Sequence, residues 1–80
     1  MLNELNTSRK VVGTKQLRKA LQRGEIRLVF LAEDADPAIT EPLRDMAERL
    51  TVPVRPVSSM RELGRACGIA VGASAAGLLI

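Results

Sequence analysis

Residues 26–32, IRLVFLA, are the stretch that most restricts what this chain can become. The run is continuously apolar apart from Arg27 and is bounded by Glu25 and Glu33. It reads as a β-strand buried on both faces, which requires a sheet held between two layers of helix. Everything else in the chain must therefore supply covers for that strand.

The flanking stretches have the right periods to do so. In GTKQLRKALQRG, Leu17, Ala20 and Leu21 recur at helical spacing, Thr14 can cap the helix, and Gly24 stands where a helix ends. At about 100° per residue, Lys15, Arg18, Lys19 and Gln22 fall on the opposite, solvent side. In ITEPLRDMAERL, Leu43, Met46, Ala47 and Leu50 form a second apolar stripe, and Pro42 is tolerated if Thr40 is the N-cap. VPVRPV has strand-like valines but two prolines, which places it near a sheet edge. Ser59 and Glu62 spell a capping box before a helix carrying Leu63 and Ala66 and closed by Gly68. ASAAGLLI reads as a last strand whose small side chains admit close packing. A short helix around Leu2 and Leu5, within Met1 to Lys10, and a brief strand at Val11 and Val12 complete the reading. The alternation predicts a three-layer α/β/α sandwich with a small mixed sheet, a single domain over residues 1–80.

Composition removes several functions. The chain has no histidine, so the commonest general base and zinc ligand are missing. Its one cysteine, Cys67, has no thiol partner and reads as a buried small apolar residue. Ser59 and Ser74 lack a base to activate them. No run of about eighteen apolar residues is present to span a membrane, and the start lacks the order of a secretory signal, so a cytoplasmic protein is expected. Charge is uneven: residues 1–27 carry seven basic and two acidic side chains, the remainder five basic and seven acidic. That asymmetry points to an acidic partner, foremost nucleic acid, although solubility alone also scatters charge.

Three features can carry chemistry. The start of the basic helix, Gly13 and Thr14, offers free backbone N–H groups to a phosphate, with Lys15 and Lys19 one turn apart and Gln16 able to address a base edge. The plain alternative is a solvated amphipathic helix. The loop GIAVG places Ile69 and Val71 between glycines, either turned inward onto the core or exposed as an apolar lid for an unstacked nucleotide. With Phe30 the only aromatic residue, and inside a buried run, an aromatic stacking platform is excluded. The stretch EDADP offers Glu33, Asp34 and Asp36. Magnesium is conceivable there, but no P-loop or dinucleotide fingerprint accompanies it, and Asp36 with Pro37 more simply shapes a turn and a helix start. No metal or other cofactor is expected.

The two runs GTKQLRKALQRGEIRLVFLAEDADP and VPVRPVSSMRELGRACGIAVGASAA resemble the kink-turn RNA-binding ribosomal protein family, the type founded by archaeal large-subunit ribosomal protein L-seven-Ae, and especially its short bacterial members. The similarity runs from about Val11 to Ile80. It implies an α/β/α sandwich that binds a sharply bent RNA internal loop with tandem sheared G·A pairs. By the family's pattern Gly13, Thr14, Lys15, Gln16 and Lys19, beside Arg18 on the same helix, match the positions meeting the G·A pairs and nearby phosphates. Asp36 and Pro37 match a neighbouring contact loop, and Ile69, Ala70, Val71 and Gly72 match the loop over extruded nucleotides. Archaeal and eukaryotic members usually carry Asn-Glu where this chain has Lys15 and Gln16, which shifts weight from base readout to phosphates. The implied partner is structured RNA, ribosomal or riboswitch-like, with the ribosome as one setting, bound by a monomer without catalysis. A protein-interaction adaptor docking through Ile69 to Gly72 is the competing reading. The RNA reading requires Lys15 and Val71 to lie at one end of the molecule.

Overall fold

The computed structural model describes residues 3–80; Met1 and Leu2, which the expected N-terminal helix included, lie outside the described residues. A 3-10 turn (Asn3–Leu5) is followed by β1 (Lys10–Val12), α1 (Thr14–Gln22), β2 (Ile26–Ala32), α2 (Pro37–Arg49), β3 (Val54–Val57), α3 (Met60–Ala66) and β4 (Ala75–Leu79). The strands form one sheet in the order β1-β4-β2-β3, with β2 parallel to β3 and β4 antiparallel to both its neighbours. Leu17 and Leu21 of α1 with Leu43 and Ala47 of α2 pack on one face. Leu63 of α3, Cys67 and Leu5 pack on the other. This is the expected three-layer α/β/α sandwich with a mixed sheet.

The strand IRLVFLA lies inside the sheet and is buried on both faces, as its composition requires. Val29 and Leu31 point under α1 and α2, while Leu28, Phe30 and Ala32 point under α3. Each large side chain buried this way contributes roughly 1.5–3 kcal/mol. Ile26 pairs with Leu79 and Leu28 with Leu78, so Arg27 is the extra residue of a β-bulge. The bulge resets the alternation and turns Arg27, the strand's only exposed residue, out to solvent. The other inner strand, β4, is crossed closely through small residues: a Cβ at Gly77 would lie 2.6 Å from the Leu17 side chain. The expectation that ASAAGLLI admits a close neighbour is met by α1.

Several local readings are corrected. The N-terminal helix expected up to Lys10 shrinks to the 3-10 turn, because Lys10 already belongs to β1, paired with Leu78. Glu4 on that turn pairs with Arg55, which holds its carboxyl below the usual carboxylate range, and the Arg55 guanidinium lies 5.6 Å from the Phe30 ring centroid. Thr14 does not cap α1; Gly13 occupies the N-cap at φ 100°, a region open to glycine, and no side chain caps the helix. Thr40 does not cap α2. The Asp36 carboxylate accepts from the Ala38 N–H at 2.9 Å and Pro37 follows at the first helical position, so the helix starts a turn earlier and Pro42 falls inside it. Leu50 lies beyond the helix end and is 45% exposed instead of joining the stripe. Of the capping box only half forms: Ser59 Oγ accepts from the Glu62 N–H at 3.0 Å, while the Glu62 carboxylate accepts from the Ser58 hydroxyl.

Two predictions follow from the core and its borders. Thr51, a β-branched residue after α2, holds φ 55°, so Thr51→Gly should raise stability by about 0.5–1 kcal/mol in urea unfolding. Cys67 is buried, and burial pushes its thiol up from the ordinary value. The unfolded chain therefore loses this proton first: stability is fully present below the unfolded thiol's range and declines as pH rises through it. Unfolding measured between pH 7 and 9.5 should show that decline, and Cys67→Ala should flatten it.

Candidate functional site

Sheet topology decides which loops meet. Val12 of β1 pairs with Ala76, Leu31 of β2 with Ala75, and Ala32 with Val57 of β3. So β1, β2 and β3 all finish at the sheet end where β4 begins. The starts of α1, α2 and α3, and the loop 68–74 before β4, are gathered at that end. Backbone bonds stitch them together: the Gly13 N–H donates to the Ala75 carbonyl at 2.9 Å, Ala32 to Ser74 at 2.9 Å and Glu33 to Val57 at 2.8 Å. Lys15 and Val71 thus emerge at the same end of the molecule. Asp36 and Pro37 share it.

The three helix starts differ in what occupies their amides. In α2 the Asp36 carboxylate takes the Ala38 N–H, and in α3 Ser59 Oγ takes that of Glu62 while Asp34 Oδ1 takes that of Met60 at 2.7 Å. In α1 no side chain does so, which leaves first-turn N–H groups open beside the positive end of the helix dipole. Lys15, Gln16, Arg18 and Lys19 are all exposed on this helix, and Gly13 and Thr14 half-buried. The ion pairs among the described residues, Arg44–Glu41 and Arg55–Glu4, involve none of these cations. The side chains divide: Arg18 borders a groove against α2, lined also by Thr14 and Ile39, whereas Lys15, Gln16 and Lys19 do not line it.

The loop after α3 is turned outward. Its backbone is pressed onto the helix, with the Ile69 N–H donating to the Gly64 carbonyl at 3.1 Å and the Ala73 N–H to that of Met60 at 3.0 Å. A Cβ on Gly64 would stand 2.0 Å from the Val71 carbonyl oxygen, so only glycine lets the loop lie this close. With the main chain against α3, the side chains have nowhere to go but out: Val71 is 71% and Ile69 38% exposed. Of the two readings of GIAVG, the inward-capping one is set aside. Ala70 and Gly72 are exposed as well.

The acidic stretch does not converge on a point. Among the described residues no group of three or more His, Cys, Asp or Glu side chains is placed to hold a metal ion. Asp34 and Asp36 instead act as helix caps. Sequence reading took Asp34 only as one of three carboxylates conceivable for magnesium, and passed over Gly64. Nothing in the sequence marks Asp34 as the partner of the α3 start, since Met60 lies 26 residues away, whereas a glycine inside the helical stretch RELGRA is a signal of close approach.

Comparison with known proteins agrees with this architecture. A model of the ribosomal protein L7Ae/L30e/S12e/Gadd45 family matches residues 2–79. RNA-binding protein YbxF from Geobacillus stearothermophilus is 47% identical over 75 residues, covering 94% of this chain and 92% of that protein. An RNA-binding protein from Geobacillus sp. (strain WCH70) is 45% identical over the same shares. Among solved structures, the Giardia lamblia 15.5kD RNA binding protein superposes with a TM-score of 0.91 at 31% identity, covering 99% of this chain and 70% of that one.

Gly64→Ala should force the 69–72 loop off α3. The expected cost is about 1–3 kcal/mol in urea unfolding, with amide chemical-shift changes concentrated at Ile69 to Gly72. A variant of unchanged stability and unchanged loop resonances would contradict the packing described.

Proposed function

Because the chain belongs to the ribosomal protein L7Ae/L30e/S12e/Gadd45 family and its relatives are RNA-binding proteins, we propose that it is a non-catalytic RNA-binding protein that recognises kink-turns with tandem sheared G·A pairs. The observation that supports this most is the meeting, at one sheet end, of the uncapped start of α1 with its free lysines and the outward-turned loop at Ile69 to Gly72. A bent RNA presents two things together: closely spaced phosphates and bases displaced from the stack. The Gly13–Thr14 turn and the first amides of α1 suit a phosphate. Lys15 and Lys19, one turn apart, suit the flanking phosphates, and Gln16 can both donate to and accept from a base edge.

The mechanism is selection of one RNA shape. The protein binds the kinked form more tightly than the extended form and shifts the population toward it. With Lys15 and Gln16 standing where many family members carry Asn-Glu, affinity leans on phosphates and hence on salt. Asp36 and Pro37 flank the contact, and the target is a ribosomal or riboswitch-like RNA met in the cytoplasm by a monomer.

The test is a titration of a synthetic kink-turn RNA at several salt concentrations. Lys15→Ala combined with Lys19→Ala should weaken binding at least about tenfold and reduce the slope of log affinity against log salt by about two. Unchanged affinity and slope would defeat the proposal. If Ile69→Ser instead abolishes capture of a protein partner while RNA affinity stays intact, the loop belongs to the adaptor reading.

A further inference from the structure

The loop 68–74 folds back along α3 on its way to β4. The Ile69 N–H is bonded to the Gly64 carbonyl, the Ala73 N–H to that of Met60, and the Val71 carbonyl lies over Gly64, so Gly64 marks the side of the helix that the loop covers. At about 100° per residue, Arg61 stands about 60° and Arg65 about 100° round the helix from Gly64. That direction leads away from Leu63 and Cys67, which face the core. Both arginines are exposed, one turn apart, and neither ion pair found among the described residues involves them. The acidic residue of α3, Glu62, accepts from the Ser58 hydroxyl. Two uncompensated guanidinium groups thus border the exposed side chains of Ile69 and Val71.

The other helix that starts at this end has the opposite charge. Residues 33–50, the β2–α2 turn and α2, carry six acidic and two basic side chains, whereas residues 58–74, α3 and its loop, carry one acidic and two basic. On α2 Glu41 engages Arg44, and Asp45 and Glu48 stand exposed. We propose that the RNA strand carrying the displaced nucleotides continues along α3, with its phosphates on Arg61 and Arg65, and stays clear of α2. The inference rests on the RNA reading of the α1 start and the 69–72 loop, and it gives the bound RNA a direction. A nucleotide outside the stack presents a base face and, on either side of it, bare phosphates. Ile69 and Val71 suit the face, and the planar fork of each arginine suits phosphate oxygens in pairs. The sole aromatic ring, Phe30, is buried, so retention of a displaced nucleotide depends on its backbone. An acidic protein segment would also suit two arginines. The same end carries Lys15 and Lys19, also free of those ion pairs, which favours a polyanion long enough to meet both cation pairs.

The test uses the full chain and a synthetic kink-turn RNA. Arg61→Ala with Arg65→Ala should weaken binding about tenfold and lower the slope of log affinity against log salt by about two, with the melting temperature changed by no more than a few degrees. Arg61→Lys with Arg65→Lys keeps both charges and should keep the slope. Arg44→Ala with Arg49→Ala removes the same charge from α2 and should change affinity less than about twofold, as screening allows. Direction is read by hydroxyl-radical cleavage in a Cys67→Ala background: an iron chelate tethered at Glu62→Cys should cut the strand carrying the displaced nucleotides, and one tethered at Asp45→Cys should leave it intact. Unchanged affinity and slope for the Arg61 and Arg65 alanine pair, or cleavage from position 45 in place of 62, overturns the proposal; the parent reading survives if Lys15→Ala with Lys19→Ala still weakens binding. An alanine pair that abolishes capture of a protein partner and leaves RNA affinity intact overturns it in favour of an acidic protein segment. If the Lys15 and Lys19 alanines change nothing, the parent reading fails and this one fails with it.

Discussion

A sheet covered by helices on both faces needs inner strands without a wet side, and β2 and β4 meet that demand in opposite ways. β2 uses bulk: Val29 and Leu31 fill one layer, Leu28 and Phe30 the other. β4 uses smallness: Ala75 and Gly77 let α1 rest almost on the main chain, with Ala76 on the α3 side. The two solutions depend on each other, because Gly77 is the ladder partner of Val29 and leaves the space that Leu17, of the same core cluster, occupies. Once the pair is set side by side, the connections can leave from one end only. The helix starts and the loop before β4 are brought together by strand direction, not by any attraction among themselves.

That gathering creates an electrostatic problem as well as an opportunity. Three helix starts at one end place several unsatisfied amides near one another. Two of them are answered internally, by Asp36, Ser59 and Asp34. The start of α1 is the exception, and it is the helix carrying Lys15 and Lys19. Asp34 has a further effect: by holding Met60 it fixes the start of α3 against the β2–α2 turn, and Gly64, one turn later on that helix, supports the exposed loop. A carboxylate that looked like a metal ligand in isolation is a strut for the apolar half of the site.

How much of this could be read beforehand depends on range. The layers, the buried strand, the edge position of VPVRPV and the helix face of Lys15 and Lys19 follow from periods and prolines, which are local. Ser59 was read correctly as the N-cap of α3, while the caps of α1 and α2 were misread because a second candidate stood near each of those starts. Thr14 lost to Gly13 because the chain needs a positive φ there, and Thr40 lost to Asp36 because Pro37 favours an earlier start. The bulge at Arg27 and the Asp34 bond to Met60 are pairings across long stretches of chain that no local pattern announces, whereas the docking of the Val71 carbonyl over Gly64 has a local sign in the glycine inside RELGRA. The family resemblance carried the grouping of the helix start with the GIAVG loop, which residue periods alone left open.

One consequence concerns the rims of the sheet. The carbonyls of Pro53 and Val57 accept from Val29 and Glu33 of the neighbouring strand, so by alternation Val54 and Pro56 direct their main-chain groups outward. Pro56 has no amide hydrogen to offer there, and the opposite rim, β1, is three residues long. Neither border can template a stranger's strand over any useful length. In a chain that is nearly half apolar, the two most apolar strands, β2 and β4, are thereby held inside the sheet, away from any rim that another strand could join.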